Sequence, residues 1–404
     1  MKRFLWIGCI SYLLIGLAHV VIGSLLSELL NKYGLTYEDG GRLIFMQFAG
    51  FLLGVLFTPR ILRFMGARRA LFMALCCLTI AQLIYVFLPP WSVMLSVSPI
   101  AGLGFGMVEA IIGAMIIGHL GSYKAVAMSR VEIFFGVGAL SIPLISGFFI
   151  SFEMWQLSFL TIAVISASTA VCWRWMSFGV ELDHALDHRA GKHSQGAVQA
   201  SSAPSYKGIK RILLPMLVLF FIFYVGLEMS MANFLPSMLI EQFPVTQSAA
   251  AISVTIFWLA MALGRIVAGS LSNRVGYAKF LIWASVGTVL SLCLLLAATT
   301  YMMNLVIVFA IGLFMAGIFS IALVYADHLM PGNTDRITSL LIGSGGVGGA
   351  VIPLISGWSL DRFDVANTYR IFAGFALLLF IILALAIFID KATQHKKKSA
   401  AVPQ

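Results

Sequence analysis

The chain has 404 residues, of which 60% are hydrophobic and only 10% are charged. Soluble domains carry roughly a quarter charged residues and at most about half apolar ones, so this composition excludes a soluble globular enzyme. The formal net charge of +10 at pH 7 comes from Lys and Arg between long apolar runs, a placement typical of a cytoplasmic membrane face and not of a nucleic-acid-binding surface.

Taken in chain order, the apolar runs between polar breaks predict twelve transmembrane helices, TM1 to TM12. Each span needs about 20 mostly apolar residues to cross a bilayer. The predicted spans cover residues 4–30, 41–58, 70–89, 91–119, 129–150, 154–176, 212–240, 248–270, 278–300, 303–330, 337–360 and 368–390.

The distribution of positive residues predicts the orientation. An even number of spans places both termini on one side of the membrane. On that side fall all but four of the 26 Lys and Arg residues, the exceptions being Lys32, Arg42, Arg362 and Arg370. Because Lys and Arg concentrate in cytoplasmic loops, we predict a multi-pass protein of the bacterial inner (cytoplasmic) membrane with both termini in the cytoplasm.

The two halves of the sequence match at a constant offset of 210 residues. The clearest match joins residues 136–147 in TM5 to residues 346–357 in TM11; both contain Gly-Val-Gly and end in Ile-Pro-Leu-Ile-Ser-Gly. At the same offset, Thr36 aligns with Thr246, and Gly66 aligns with Gly276. Parallel repeats of six spans are typical of secondary transporters.

The repeat predicts the domain organisation and the fold class. We expect an all-α integral membrane protein with two pseudo-symmetric six-helix bundles, residues 1–176 and 212–391. Residues 177–211 between them are polar and lack an apolar face, which predicts a flexible cytoplasmic linker. Residues 392–404 are predicted to form a cytoplasmic tail.

In the first half, three polar side chains lie deep in the predicted spans: His19 in TM1, Gln47 in TM2 and Glu109 in TM4. A carboxyl group at membrane depth costs at least about 2–3 kcal/mol unless it is neutral, paired or in contact with water. Small residues at helical spacing keep this part of TM4 against a neighbouring helix, namely Gly102, Gly106 and Gly113. Glu109 is therefore predicted to load and release the coupling proton, the alternative being a helix–helix hydrogen bond.

In the second half, Glu228 and Asn233 lie in TM7, and Trp258 lies in TM8. Five residues separate the two TM7 side chains, about 140° around a regular helix, so they do not share one face. Pro236 removes a backbone donor, and we predict that TM7 breaks there and turns both side chains toward a central cavity. The predicted solute-binding residues are Glu228, Asn233, Gln47, His19 and Trp258. Helix–helix hydrogen bonds, or lipid-interface packing for Trp258, are the alternatives.

Motifs of catalytic or nucleotide chemistry are absent from the sequence. There is no GxxxxGK[ST] loop and no HExxH motif. The five cysteines lack metal-binding spacing. We therefore predict that the chain is not an enzyme, uses no cofactor or metal, and draws on an ion gradient or on the gradient of its solute.

The turns after TM2 and TM8 resemble a motif of the major facilitator superfamily, Gly-x-x-x-Asp-Arg-x-Gly-Arg-Lys. The second copy, Gly269–Lys279, is close, with Asn273 in place of the acid. The first copy is weaker, because Pro59 stands where glycine is expected, although it keeps Arg63, Gly66, Arg68 and Arg69. The resemblance implies a cationic turn that ties cytoplasmic helix ends together. The predicted gate residues are Arg63, Gly66, Arg69, Arg274, Gly276 and Lys279.

More narrowly, several stretches resemble the fucose:proton symporter family, in particular its bacillar glucose/mannose:proton symporter branch. They are residues 19–25, 47–54, 109–113, 131–140, 226–228, 232–237, 257–258 and 264–265. Fucose carriers of this family have an acidic residue in the first helix, where this chain has His19. The resemblance implies a sugar as the solute and a proton-carrying acid on TM4, which corresponds to Glu109.

Together these observations predict a secondary transporter that imports a hexose or a related sugar with protons by alternating access. Its expected partners are the solute, protons and the lipid bilayer; no nucleic acid is expected, and the protein is predicted to be a monomer. The alternative function is that of a drug:proton antiporter of the same fold. Such exporters usually carry a Gly-Pro dipeptide in TM5, where this chain has Ile142-Pro143.

Overall fold

A computed structural model of the chain describes residues 2–119, 124–187, 210–330 and 334–400. Within these ranges every regular element is an α-helix. The helices are α1 (Lys2–Ser24), α2 (Leu26–Tyr33), α3 (Tyr37–Met65), α4 (Ala67–Val86), α5 (Trp91–His119), α6 (Lys124–Ser151), α7 (Leu157–Trp175), α8 (Val180–Asp187), α9 (Lys210–Gln242), α10 (Gln247–Val275), α11 (Tyr277–Leu295), α12 (Tyr301–Met315), α13 (Ile318–Leu329), α14 (Thr334–Arg362) and α15 (Val365–Ala400).

The described part of the chain contains 12 stretches of helix long and apolar enough to cross a membrane, which confirms the predicted fold class. Helices α3 to α7 are TM2 to TM6, α9 to α11 are TM7 to TM9, and α14 and α15 are TM11 and TM12. Two predicted spans are divided: TM1 into α1 and α2, and TM10 into α12 and α13.

Equivalent threonines precede TM2, which starts four residues before the predicted position, and TM8, which starts one residue before it. Thr36 precedes α3, and its backbone N–H donates to the Asp39 carboxylate at 3.4 Å. Thr246, at the 210-residue offset, precedes α10, and its hydroxyl accepts from the N–H of Ala249 at 3.2 Å. The Asp39 carboxylate and the Thr246 hydroxyl thus each accept from a free backbone N–H at a helix start, and the equivalent threonines occupy the same position before both helices.

The breaks in the membrane helices differ from the prediction. TM7 was expected to break near Pro236, but α9 is helical from Lys210 to Gln242, because the loss of one backbone donor does not end a helix whose other bonds remain. The breaks lie instead in TM1, at Leu25, and in TM10, with a turn at Ala316 and Gly317. A β-carbon on Gly317 would collide with Ala268 of TM8, so glycine permits close packing at this break.

The connector is partly ordered. Helix α8 occupies Val180–Asp187, and Leu186 within it is fully buried, so the expectation of a flexible link is wrong for this segment. Residues 188–209 of the connector lie outside the described ranges. The predicted tail begins within α15, which continues to Ala400.

Contacts group the chain into two compact units. The first comprises Met1–Gln199, Met231–Trp258 and Pro353–Arg362, and the second comprises Ala200–Ser230, Leu259–Ile352 and Phe363–Gln404. Glycines allow direct backbone contact inside each unit. A β-carbon on Gly102 would collide with the carbonyl oxygen of Gln47 in the first unit, and one on Gly348 would collide with that of Ile222 in the second.

Residues related by the repeat meet in the first unit. The hydroxyl oxygens of Ser27 and Ser237 lie 3.2 Å apart, within hydrogen-bonding distance. One turn earlier on each helix, Gly23 packs against its own equivalent, Asn233. Both contacts join residues that the 210-residue offset makes equivalent.

Candidate functional site

His19 lies in a cage of aromatic rings. Its side chain is 6% exposed, and Nδ1 lies 3.1 Å from the carbonyl oxygen of Ile15, one turn earlier on TM1. The ring centroids of four phenylalanines lie 4.5–5.6 Å from the imidazole: Phe48, Phe51, Phe105 and Phe135. TM1, TM2, TM4 and TM5 therefore all contribute to the surroundings of this residue.

Gln47 joins TM2 to TM1 beside this cage. It is 3% exposed, and its side-chain amide donates to the carbonyl oxygen of Ala18 at 3.0 Å. This contact is the helix–helix hydrogen bond considered as an alternative to solute binding. Gln47 fixes the backbone next to His19, and its role toward a solute stays a prediction.

Trp258 has a buried hydrogen-bond donor without a partner. The residue is 1% exposed, so it does not lie at a lipid interface, and its ring packs edge-on against Phe135 and Phe257. Among the described residues none accepts a hydrogen bond from its Nε1. An unpaired buried donor costs about 1–3 kcal/mol, and a ligand oxygen would remove that cost.

Phe135 links His19 and Trp258. Its ring centroid lies 5.4 Å from that of His19 and 6.0 Å from that of Trp258. Asn233 is also in this unit, 1% exposed and packed against Gly23. In the sequence Phe135 lies in a stretch that resembles the symporter family but has no feature of a binding residue, because its position between two candidate residues depends on helix packing.

Glu228 belongs to the second unit, where it forms an ion pair. It is 5% exposed, and its Oε1 lies 3.5 Å from Nη2 of Arg265. The hydroxyl of Tyr224 lies beside the Glu228 carboxylate and donates to the carbonyl oxygen of Met315 at 3.0 Å. Met315 is the last residue of α12, so this bond satisfies a backbone oxygen at the break in TM10.

Arg265 corrects one part of the sequence analysis. It was assigned to the positive residues of the cytoplasmic face, but it lies inside α10, ten residues before the last residue, Val275. At about 1.5 Å per residue this is about 15 Å from the helix end. Its partner Glu228 therefore meets an opposite charge within the membrane span.

Glu109 is partly exposed and has two ionisable neighbours. The charge of Glu132 on TM5 acts on Glu109, and both carboxylates act on Tyr12 of TM1. A β-carbon on Gly113, one turn after Glu109, would lie 3.7 Å from the Tyr12 hydroxyl, so the small-residue face of TM4 leaves room for that side chain. Glu132 and Tyr12 were not predicted to be neighbours of the candidate proton site, because they lie on other helices, TM5 and TM1.

The turn after TM2 is held by Arg68, which was not among the predicted gate residues. The Arg68 guanidinium contacts Asp183 at 2.5 Å and Asp187 at 2.9 Å, both on α8. It also donates to the carbonyl oxygens of Met176 at 2.7 Å and Trp173 at 3.2 Å. Its side chain is 9% exposed. Of the predicted gate residues here, Gly66 is buried, whereas Arg69 and Arg63, which lies in the last turn of α3, are exposed.

Asp183 is held in its charged form by this turn. Burial opposes ionisation of its carboxyl, but hydrogen bonds from the Ser177 hydroxyl, the Phe178 N–H and Arg68 outweigh burial and keep its pKa below the usual value. Asp187, like Asp183, is paired with Arg68.

The turn after TM8 has the same backbone but different contacts. Gly276 has φ of +88°, as Gly66 has φ of +78°. The predicted gate residues Arg274 and Lys279 are exposed. The Tyr277 hydroxyl donates to the Asn273 side chain at 3.1 Å, and the residue at the 210-residue offset from Arg68 is Ala278.

Comparison with known proteins gives consistent results. The family profile "Major Facilitator Superfamily" matches residues 8–243 and 216–403. The glucose/mannose transporter GlcP of Bacillus subtilis (strain 168) is 33% identical over 377 residues, covering 92% of each chain. The fosmidomycin resistance protein of Escherichia coli (strain K12) is 27% identical over 200 residues, covering 48% of this chain and 47% of that protein.

A solved D-xylose-proton symporter matches the fold. It has a TM-score of 0.76 at 12% identity and covers 95% of this chain and 97% of that one.

Proposed function

Because the chain belongs to the Major Facilitator Superfamily, we propose that it is a secondary transporter that imports a hexose or a related neutral sugar together with protons. The 33% identity to a glucose/mannose transporter over nearly the whole of both chains supports a sugar as the solute. The observation within the structure that carries the proposal is the buried, unpaired Nε1 of Trp258 beside the ring of Phe135. A sugar offers a hydroxyl oxygen to the donor and an apolar ring face to the aromatic side chains.

The proposed solute-binding residues are those whose side chains can donate hydrogen bonds to sugar hydroxyl groups or accept hydrogen bonds from them. Trp258 supplies a donor, Asn233 supplies both a donor and an acceptor, and the carboxylate of Glu228 accepts from hydroxyl groups. His19 and Gln47 complete the proposed set. The rings of His19 and Trp258 both pack against Phe135, and the Gln47 side chain donates to the carbonyl oxygen of Ala18, the residue before His19.

Glu109 is the proposed proton carrier. A partly exposed carboxyl in a membrane span can exchange a proton with water, and a second carboxyl nearby, Glu132, makes it unfavourable for both to be charged. Loading one proton relieves that repulsion. Tyr12 adds a hydroxyl to the same group of side chains.

We further propose import by alternating access, in a monomer of the bacterial inner membrane with both termini in the cytoplasm. The distribution of Lys and Arg supports this orientation. In that orientation the two turns that contain Arg63, Gly66, Arg69, Arg274, Gly276 and Lys279 are gate elements on the cytoplasmic side.

Uptake by vesicles that carry Glu109→Gln tests the coupling. Glutamine keeps the shape but fixes the neutral state, so counterflow exchange of labelled hexose should persist, because the loaded carrier can still reorient. Accumulation driven by an acidic outside should be lost, because the empty carrier cannot release its proton. The exposed loop residue Glu153 provides the control: Glu153→Gln should behave as wild type in both assays.

Two results would contradict the proposal. Hexose accumulation by Glu109→Gln at an acidic outside would make Glu109 structural and move the proton to Glu228 or His19. Absence of any hexose uptake by the wild type would refute sugar transport. Growth assays with fosmidomycin and other drugs belong alongside, because the half-length match to a resistance protein favours drug export as the second candidate.

A further inference from the structure

The Glu228–Arg265 pair places two opposite charges at mid-depth in the membrane. Glu228 lies 14 residues before the end of α9 at Gln242, and Arg265 lies ten residues before the end of α10. The carboxylate is buried, and the guanidinium side chain is 33% exposed. A charge at this depth is tolerated when it is paired or in contact with water, and the pair meets the first condition.

The exposed part of Arg265 points away from the lipid-facing side of TM8. Leu263 is 45% exposed and Val267 is 57% exposed, as expected for apolar side chains that face lipid. Each is two residues from Arg265, about 200° around the helix, so the arginine lies on nearly the opposite side. Arg265 therefore lies on the side of TM8 opposite these two lipid-facing residues, on the side that packs against other helices.

Neighbouring contacts hold the pair in place. Tyr224, one turn before Glu228, is anchored to the carbonyl oxygen of Met315 at the break in TM10. Gly264, next to Arg265, packs so closely on TM10 that a β-carbon there would lie 3.0 Å from the carbonyl oxygen of Leu313. Both members of the pair are thus fixed to the same region of TM10, and their positions are set before a solute arrives.

We propose that the Glu228–Arg265 pair determines specificity by selecting neutral sugars over sugars that carry a charge. The inference rests on the proposed sugar transport and adds a selectivity to it. While the pair is intact its charges balance: a sugar acid is attracted by Arg265 and repelled by Glu228, and an amino sugar the reverse, so neither gains a net attraction that offsets the loss of its hydration. Charged groups that are left without a partner in an interior are strongly unfavourable, so the pair also rejects a solute that would displace one member from the other.

Removing one charge should reverse the selection. In Glu228→Gln the buried side of Arg265 lacks a counter-charge, and the carboxylate of D-glucuronate can supply it. In Arg265→Gln the carboxylate of Glu228 lacks a counter-charge, and the protonated amine of D-glucosamine can supply it. The double variant has neither charge and should prefer neither charged sugar.

The experiment measures vesicle uptake of D-glucose, D-glucuronate and D-glucosamine by the wild type, the two single variants and the double variant. Mildly acidic medium keeps the amine protonated. We expect each single variant to shift its preference toward the oppositely charged sugar, relative to glucose, by at least about tenfold, which corresponds to about 1.4 kcal/mol. The double variant should lack both shifts, and it also controls for loss of folding.

Binding is measured separately, as thermal stabilisation of each purified variant by each sugar. Unchanged preference in both single variants, or equal glucuronate stabilisation of Glu228→Gln and of the double variant, would overturn the inference. A wild type that takes up no hexose would refute the proposed sugar transport alone. Stabilisation of Glu228→Gln by glucuronate would still support the role of the charge pair in that case.

Discussion

The turns after TM2 and TM8 have the same backbone and different chemistry. In each, a glycine with positive φ joins two helices at positions 210 residues apart, Gly66 and Gly276. In the first turn Arg68 is buried and contacts two carboxylates and two carbonyl oxygens. In the second, the corresponding residue is alanine, and the neighbouring basic residues are exposed.

The difference shows that a repeat can conserve a bend while only one copy keeps its ionic contacts. Sequence similarity favoured the second turn, whose residues follow the superfamily motif more closely. The structure places the buried charge in the first turn, because α8 follows the first bundle and brings Asp183 and Asp187 to Arg68. What an arginine does at such a turn depends on the segment that packs against it.

The largest expected effect is that of Arg68→Ala. Breaking a buried ion pair costs about 3–5 kcal/mol, and the partial exposure of the two aspartates places the loss near the lower limit, about 3 kcal/mol. Thermal unfolding of purified protein in detergent should show a clearly lowered Tm. Arg68→Lys should fall between, because lysine keeps the charge but not the planar fork that contacts several acceptors.

Lys279→Ala in the second turn is the matched control. The residue is exposed, so the expected change in stability is within about 0.5 kcal/mol. Equal losses of Tm in Arg68→Ala and Lys279→Ala would show that the two turns contribute alike, contrary to the contacts described.

Replacing the two turn glycines by alanine should give a smaller difference in stability between the turns than Arg68→Ala and Lys279→Ala give. Both positions have positive φ with extended ψ, a conformation nearly restricted to glycine, so each substitution should cost about 1–3 kcal/mol. At Gly66 the added β-carbon would also lie 3.1 Å from the carbonyl oxygen of Asp187, whereas at Gly276 it meets nothing within 4 Å. Gly66→Ala should therefore lower the Tm more than Gly276→Ala, and the reverse order would contradict this comparison.

The smallest expected effect is that of Asn273→Asp, which restores the superfamily acid in the second turn. Asn273 is exposed and already accepts a hydrogen bond from Tyr277, and a carboxylate accepts the same bond. Exposed charges contribute little, so the free energy of unfolding should change by less than about 0.5 kcal/mol, and the Tm should stay close to that of the wild type. A large gain in stability would mean that the missing acid, and not the lack of an α8-like helix against this turn among the described residues, accounts for the weaker contacts of the second turn.

The sequence predicted the spans because the length of an apolar run is a local property. It predicted the repeat because glycines and threonines recur at a constant offset of 210 residues. It did not predict the break in TM10, because Ala316 and Gly317 lie in an uninterrupted apolar run. It also expected a break at Pro236, where the helix continues.

The candidate site shows the same limit. Deep polar residues such as Glu109, Glu228 and Asn233 stand out in an apolar sequence, so they could be identified. Their partners could not. Arg265 looked like a residue of the cytoplasmic face, and neither Tyr12 nor Phe135 differs in sequence from a packing residue. Which side chains contact each other across helices depends on how each helix is rotated about its axis and how deep it lies relative to its neighbours. The sequence of one helix specifies neither.

Serine is a residue that can pair with its own copy, because a hydroxyl both donates and accepts a hydrogen bond. In a symmetric dimer of two identical six-helix chains, a residue on the two-fold axis faces itself, and a charged residue there would repel itself. Ser27 and Ser237, in contact 210 residues apart, have the chemistry such an axis demands. Their contact joins the two repeats through groups that can each either donate or accept the hydrogen bond.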